Sequence, residues 1–167
     1  MRIRDRRDDD LEELVAVAAR VHEADQYPIF LPDGDLKRFL TRPKPLAAWV
    51  AVRNERLIGH VALNAETSRP VMQLVAALKP KRSAVYVARL LVDGSARREG
   101  VGRMLLEHAR QAAVDSGHLP VLDVVDTPAA AAAISLYRRD GWEEVGRVSF
   151  ELVDTEVDEL VFRGPLA

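Results

Sequence analysis

Apolar positions fall into two periods along this chain. Leu11, Leu14, Val15, Ala18 and Val21 recur at three- and four-residue spacing. That predicts a helix with one buried stripe, opening in the acidic run Asp8-Asp9-Asp10 and running through His22. Met1 to Arg6 reads as a short strand before it. Glu23 to Asp35, rich in Pro, Asp and Gly, reads as a loop carrying Tyr27, Ile29 and Phe30, and a short helix follows over Asp35 to Leu40. Trp49–Val52 and Leu57–Leu63 predict an antiparallel hairpin turned at Arg53 to Arg56. Val71 to Leu78 predicts a helix closed by Lys79-Pro80. Val85 to Val92 is apolar on both alternating faces and predicts a central strand.

Val101 to Ser116 predicts a helix with Leu105, Leu106, Ala109, Ala112 and Ala113 inward, and with Arg103, Glu107, Arg110 and Asp115 outward. Val121–Val125 predicts a buried strand, and Pro128 opens a helix ending near Arg139. Glu144–Leu152 and Glu159–Arg163 predict a last strand pair. This order mixes antiparallel pairs with one parallel crossover. It predicts one α/β-type domain over residues 1–167, built on a mixed sheet.

The stretch from Ser83 to Gly117 carries the clearest chemistry. A strand ends at Asp93-Gly94, and the loop Arg97-Arg98-Glu99-Gly100-Val101-Gly102 leads into a helix. Amides of a helix's first turn, with its dipole, bind anions, and glycine lets backbone approach a ligand. Arg97, Arg98 and Arg103 add positive charge, so the loop reads as a diphosphate cradle. It is not the nucleoside-triphosphate loop, because no Lys-Ser/Thr follows. Nor is it the dinucleotide fingerprint, because Leu105 stands where a third glycine belongs.

Arg97-x-x-Gly100-x-Gly102 resembles the Gln/Arg-x-x-Gly-x-Gly/Ala motif of the GNAT superfamily of N-acetyltransferases. Ala133-Ile134-Ser135-Leu136-Tyr137-Arg138-Arg139-Asp140-Gly141-Trp142 is similar to that family's Ala-Ile-x-Leu-Tyr-x-Lys-x-Gly-Phe segment. The likeness is strongest from Val87 to Val145. It implies a GNAT-like fold, α/β with a central, mostly antiparallel mixed sheet flanked by helices. It implies acetyl transfer from acetyl-CoA, as co-substrate, to a primary amine of a small molecule, protein or peptide by direct attack in a ternary complex. It also implies that Leu90, Leu91 and Val92 pair through their backbone with the pantetheine arm. Arg97, Arg98, Glu99, Gly100, Val101, Gly102 and Arg103 would hold the pyrophosphate, with Arg139 near a coenzyme phosphate. Tyr137 would protonate the leaving thiolate. A phenol suits that role, its pKa of about 10 lying near that of the thiol. A tyrosine packing its ring in the core is the plainer alternative.

Two positions depart from the family's pattern. Ala130 stands where many members carry an asparagine that bonds the pantetheine, and Ala88 and Arg89 occupy the neighbourhood of the usual glutamate base. Glu66 and His60 are the candidates left for that task. Arg89, an arginine within an apolar strand, either pairs with a core acid or faces the substrate and holds an anionic group. Tyr27 and Phe30, on the loop where the family places its variable acceptor region, are the further substrate-binding candidates.

The composition narrows the classes further. The chain has 167 residues, 48% hydrophobic and 30% charged, with a formal net charge of −2 and no cysteine. That excludes disulfides, thiolate metal sites and a cysteine nucleophile. No basic stripe interleaved with aromatics points to nucleic acid. No run is long enough to span a bilayer, and no cluster at ligand spacing calls for a metal. A cytoplasmic enzyme is the expectation, and the family suggests a homodimer through the C-terminal strands. Two rival readings stay open: a coenzyme A-binding sensor or regulatory module without transfer, and a transferase using another acyl donor such as succinyl- or propionyl-coenzyme A.

Overall fold

The computed structural model describes residues 1–167. Its helices are α1 (Leu11–Asp25), α2 (Leu36–Thr41), α3 (Arg69–Ala77), α4 (Val101–Asp115) and α5 (Ala131–Arg139). Its strands are β1 (Arg2–Asp5), β2 (Ala47–Arg53), β3 (Arg56–Asn64), β4 (Ala84–Val92), β5 (Leu119–Val125), β6 (Glu143–Leu152) and β7 (Thr155–Arg163). The hydrogen-bonded order is β1-β2-β3-β4-β5-β7-β6. β1–β2, β2–β3, β5–β7 and β6–β7 pair antiparallel, and β4–β5 pairs parallel. The α/β class and the mostly antiparallel sheet match the expectation. The residues cluster into two compact units, Met1–Asn64 with Val87–Ala109 and Ala65–Tyr86 with Arg110–Ala167.

In the first unit, the β2–β3 hairpin turns at Asn54 and Glu55, both left-handed at φ 51° and 61°. Two such residues give a turn whose twist matches that of the flanking strands. The core joins Leu14, Val17, Ala18 and Val21 of α1 to Leu40, Val50, Val52, Leu57 and Leu91. The buried stripe of α1 therefore includes Val17, which the periodicity left out, while Leu11 and Val15 lie at its margin. The start of α1 is held by Asp10, whose carboxylate accepts from both Arg4 guanidinium nitrogens at 2.8 Å and from the Arg7 amide at 2.7 Å. The Arg4 hydrogen bonds keep that carboxyl below its usual range.

Gly59 on β3 fixes how closely α4 approaches within this unit. A Cβ there would stand 2.7 Å from Leu105 Cδ1 and 3.0 Å from the Leu91 carbonyl oxygen. Gly59→Ala should therefore destabilise by about 1–3 kcal/mol through overpacking. Chemical denaturation would show a lower midpoint with an unchanged slope.

In the second unit, Val71 and Val75 of α3 pack with Tyr86, Leu119, Val121 and Val161. Two expectations are corrected here. Arg110, placed outward by periodicity, is 4% exposed. Its guanidinium donates to the Pro165 carbonyl at 2.7 Å and to Gln111 Oε1 at 3.0 Å, and these bonds are what make its burial tolerable. The last strand begins at Thr155 rather than Glu159, because the β6 ladder continues until Leu152 faces Thr155. Polar residues at the tip of a hairpin join the ladder through their backbone, whatever their hydrophobicity.

Candidate functional site

The strand–loop–helix stretch lies in the first unit. β4 is regular up to Arg89, whose φ of 56° is left-handed. A residue in that conformation breaks the ladder and re-aims the strand. Arg89 makes no ion pair with a core acid, so that sequence reading of it is corrected. Its Nε donates to the Phe39 carbonyl at 2.9 Å, and its guanidinium lies 4.2 Å from the centre of the Phe39 ring. Cations at a helix C-terminus favour its free carbonyls. The Arg6 guanidinium does the same for α2, donating to the Leu40 carbonyl at 2.9 Å.

His60 sits between these two arginines. It is fully buried, with Nδ1 2.8 Å from the Arg89 carbonyl and Nε2 3.1 Å from Arg6 Nη1. Burial lowers its pKa to about 4, so the ring is neutral at pH 7. In the tautomer that fits both contacts, Nδ1–H donates to Arg89 and Nε2 accepts from Arg6. With both nitrogens engaged, His60 locks the left-handed residue of β4.

The loop after β4 is built from alternating backbone hands. Asp93 accepts from the Ser95 amide at 3.0 Å and from Arg20 Nε at 3.1 Å. Burial pushes the Asp93 carboxyl up, but the Ser95 amide and Arg20 together hold it below its usual range. Arg98 and Gly100 are left-handed, at φ 63° and 80°. Successive amides in such a turn form a concave, anion-binding nest. Met104 N makes the helix-closing bond to the Gly100 carbonyl at 3.0 Å. The Val101 and Gly102 amides lie ahead of it, without a carbonyl one turn back.

A Cβ added at Gly100 would meet nothing within 4 Å. Arg97 forks onto Asp25 at the end of α1, one arm at 3.0 Å, and Arg53 pairs with Glu99. Asp25 and Glu99 are thus engaged by Arg97 and Arg53, and the backbone at Gly100 is open beside the exposed Arg98. A diphosphate fits that chemistry. Leu91 is buried, and Leu90 and Val92 are half-buried along the strand leading to the loop.

Also in the first unit, Tyr27 is half-exposed with its ring edge-on to Phe39 at 5.7 Å, and Phe30 is 59% exposed. In the second unit, Tyr137 on α5 is 7% exposed. Its ring packs 5.7 Å from Phe162 and 6.4 Å from Trp142. Arg139 is exposed on the same helix, and Ala130 stands at its N-cap without a side-chain bond. Glu66 is exposed in the connection after β3.

The second unit also contains a carboxyl pair that the sequence reading missed. Asp123 faces Val161 across the β5–β7 ladder, so Glu159, two residues from Val161, is its diagonal neighbour on one face. Asp123 Oδ1 accepts from the Thr67 hydroxyl at 3.2 Å. Glu159 Oε2 is buried without a hydrogen-bond partner. Burial, then the hydrogen bond and charge of Asp123, raise the Glu159 carboxyl to about 8. The signal was present in the sequence: Asp123 is the one polar residue in the run Val121–Val125. Its partner lies on a strand far along the chain, which spacing cannot reveal.

The sign of the linkage follows from that shift. A carboxyl whose folded pKa exceeds its unfolded value of about 4.3 binds an extra proton when folded. Stability therefore falls as pH rises from about 4 towards 8. Glu159→Gln keeps the neutral shape and removes the penalty. We expect a higher Tm than wild type at pH 9 and no difference at pH 4, read by calorimetry across pH.

Comparison with known proteins agrees with this geometry. A profile of the acetyltransferase (GNAT) family matches residues 12–142. The chain belongs to the GNAT family. No curated protein matches it. Among solved structures, Arabidopsis thaliana NAA60 in complex with a bisubstrate analogue is similar at TM-score 0.73 and 20% identity, covering 97% of this chain and 95% of that one. The ribosomal-protein-S18-alanine N-acetyltransferase from Escherichia coli is similar at 0.70 and 19%, covering 99% and 94%. An N-acetyltransferase from Staphylococcus aureus Mu50 is similar at 0.70 and 19%, covering 99% and 98%. At these identities the likeness is one of fold, and it extends along nearly the whole GNAT chain. No helix is long and apolar enough to cross a membrane.

Proposed function

We propose that this GNAT-family chain transfers an acetyl group from acetyl-CoA to a primary amine. The observation that carries this reading is the left-handed turn at Arg98 and Gly100, with its open backbone, at the start of α4. NAA60 from Arabidopsis thaliana has also been solved with acetyl-CoA, which supports the same donor here. The donor supplies a thioester whose carbonyl is open to an amine.

The roles of the chain's own groups follow from their chemistry. The Val101 and Gly102 amides, with Arg98 and Arg103, bind the diphosphate and fix its orientation. Leu90 to Val92 offer strand backbone to the pantetheine amides. Tyr137 gives its phenolic proton to the departing sulfur. The Asp123–Glu159 pair takes a proton from the incoming amine. A carboxyl raised by burial and by Asp123 can hold a proton near neutral pH, as a base for an amine must. The Escherichia coli enzyme is named for a ribosomal-protein alanine as its acceptor, which favours a polypeptide acceptor here.

Isothermal titration with acetyl-CoA, followed by a panel of amines with release of free thiol as the readout, tests this reading. Binding and turnover on α-amines are expected. Absence of both from an intact fold overturns it. Binding without turnover on any amine would support the sensor reading, which Ala130 favours.

A further inference from the structure

Several arginines of the chain meet a carboxylate: Arg4, Arg20, Arg53, Arg97, Arg147 and Arg163 all do. Even the groove beside α5, about 480 Å³, is charge-balanced, with Arg138 on Glu144 and Arg147 on Asp126 and Asp158. On and just after helix α2, cations are clustered. Lys37, Arg38 and Arg42 are exposed and make no ion pair. They surround an open depression of about 540 Å³ with Thr41 and Asp35. The Asp35 carboxylate is the local acid, and it is engaged as the cap of the Arg38 amide at 2.9 Å. The Thr41 hydroxyl donates to the Lys37 carbonyl at 2.8 Å. Arg42 lies just past α2 in extended backbone, at φ −127°, and the helix is held through Leu40, Phe39 and its C-terminal carbonyls.

The segment bearing this patch is tied to the candidate donor strand at both ends. Asp25, where the segment begins, grips Arg97 of the loop. Phe39, near its end, is bound by Arg89 of β4 through its carbonyl and its ring. The helix that bears the patch is thus fastened to β4 within the first unit.

We propose that Lys37, Arg38 and Arg42 receive the carboxylates of an acidic acceptor peptide, one with Asp or Glu in the residues that follow its reactive amine. This rests on the N-acetyltransferase reading and narrows its substrate class. Three cations set around a concavity match several carboxylates on one flexible chain. A flat anionic membrane matches less well, because Asp33 and Asp35 beside the patch would meet the same surface. The apolar tip at Ile29 and Phe30, exposed just before α2, adds contact area for a peptide side chain.

The test uses the full chain and three peptides with the same free N-terminal residue, followed by acidic, neutral or basic residues. Acetylation kcat/KM should favour the acidic peptide over the neutral one by about tenfold at low salt. The preference should collapse at about 0.5 M salt, where screening is strong. The triple variant Lys37→Glu, Arg38→Glu, Arg42→Glu should invert the order of acidic and basic peptides, and single variants to Ser should each erode it. Equal rates on the three peptides, or a uniform loss on all of them in the reversal variant, overturns the proposal. So does preference for a free acidic amino acid over every peptide. Cosedimentation with phosphatidylserine vesicles, lost in the reversal variant and without any peptide preference, would assign the patch to a lipid surface instead. Fluorescence anisotropy of the same labelled peptides measures binding without turnover. If no amine is acetylated yet the acidic peptide binds selectively, the transferase reading fails and the patch stands.

Discussion

Tyr137→Phe should lower kcat by about a hundredfold or more while leaving KM for acetyl-CoA close to wild type. Loss of a positioned general acid costs about 10²–10⁴ in rate. The substitution is clean because the ring stays. Its contacts with Trp142 and Phe162 are ring contacts, and phenylalanine keeps them. Removing the hydroxyl costs about 1 kcal/mol of stability at most sites, so Tm should move by only a few degrees. A thiol-release assay at saturating donor reads the effect directly. If kcat remains within threefold of wild type, Tyr137 is a core tyrosine and the proton comes from elsewhere.

The second large effect is expected at Gly102. An added Cβ there would touch only Val92 Cγ2, at an ordinary 3.4 Å. Gly102→Ala should therefore fold as well as wild type, and an alanine inside a helix is favoured over glycine by about 0.5–1 kcal/mol. The same methyl stands in the first turn of α4, where the diphosphate would approach the amides. Affinity for acetyl-CoA should fall by at least about tenfold, the equivalent of one good hydrogen bond to a charged group, measured by titration calorimetry. Gly100→Ala separates two causes of loss. Its φ of 80° penalises any side chain, so there Tm and affinity should fall together. Unchanged affinity in Gly102→Ala would make that glycine a simple helix opener.

Most of the fold was legible because its signals are local. The α1 stripe, the β2–β3 hairpin, the glycine-bearing turn into α4 and the proline opening the α5 segment depend on neighbours within one turn or one ladder step. The errors arose where a distant partner decided the outcome. Arg110 is buried because a carbonyl at Pro165 receives it. Thr155 is a local exception, in a strand because its backbone pairs with Leu152 across the hairpin tip despite its polar neighbours. For the site, the loop could be read from its glycines, and the left-handed Arg98 between them could not, since arginine rarely adopts that conformation. Arg89 was noticed as out of place in an apolar strand. Its true partners, two carbonyls and a ring of α2, leave no trace in residue spacing. The pairing of Asp123 with Glu159 is of the same kind, a register effect between strands remote in sequence.

The two arginine fastenings at Asp25 and Phe39 bracket a stretch whose interior contributes little to the hydrophobic centre beyond Leu36. Such a stretch behaves as a cassette. Its outward residues can be rewritten, by evolution or by grafting, while the donor-side frame keeps its shape, so recognition of new acceptors is open to this scaffold without rebuilding its machinery.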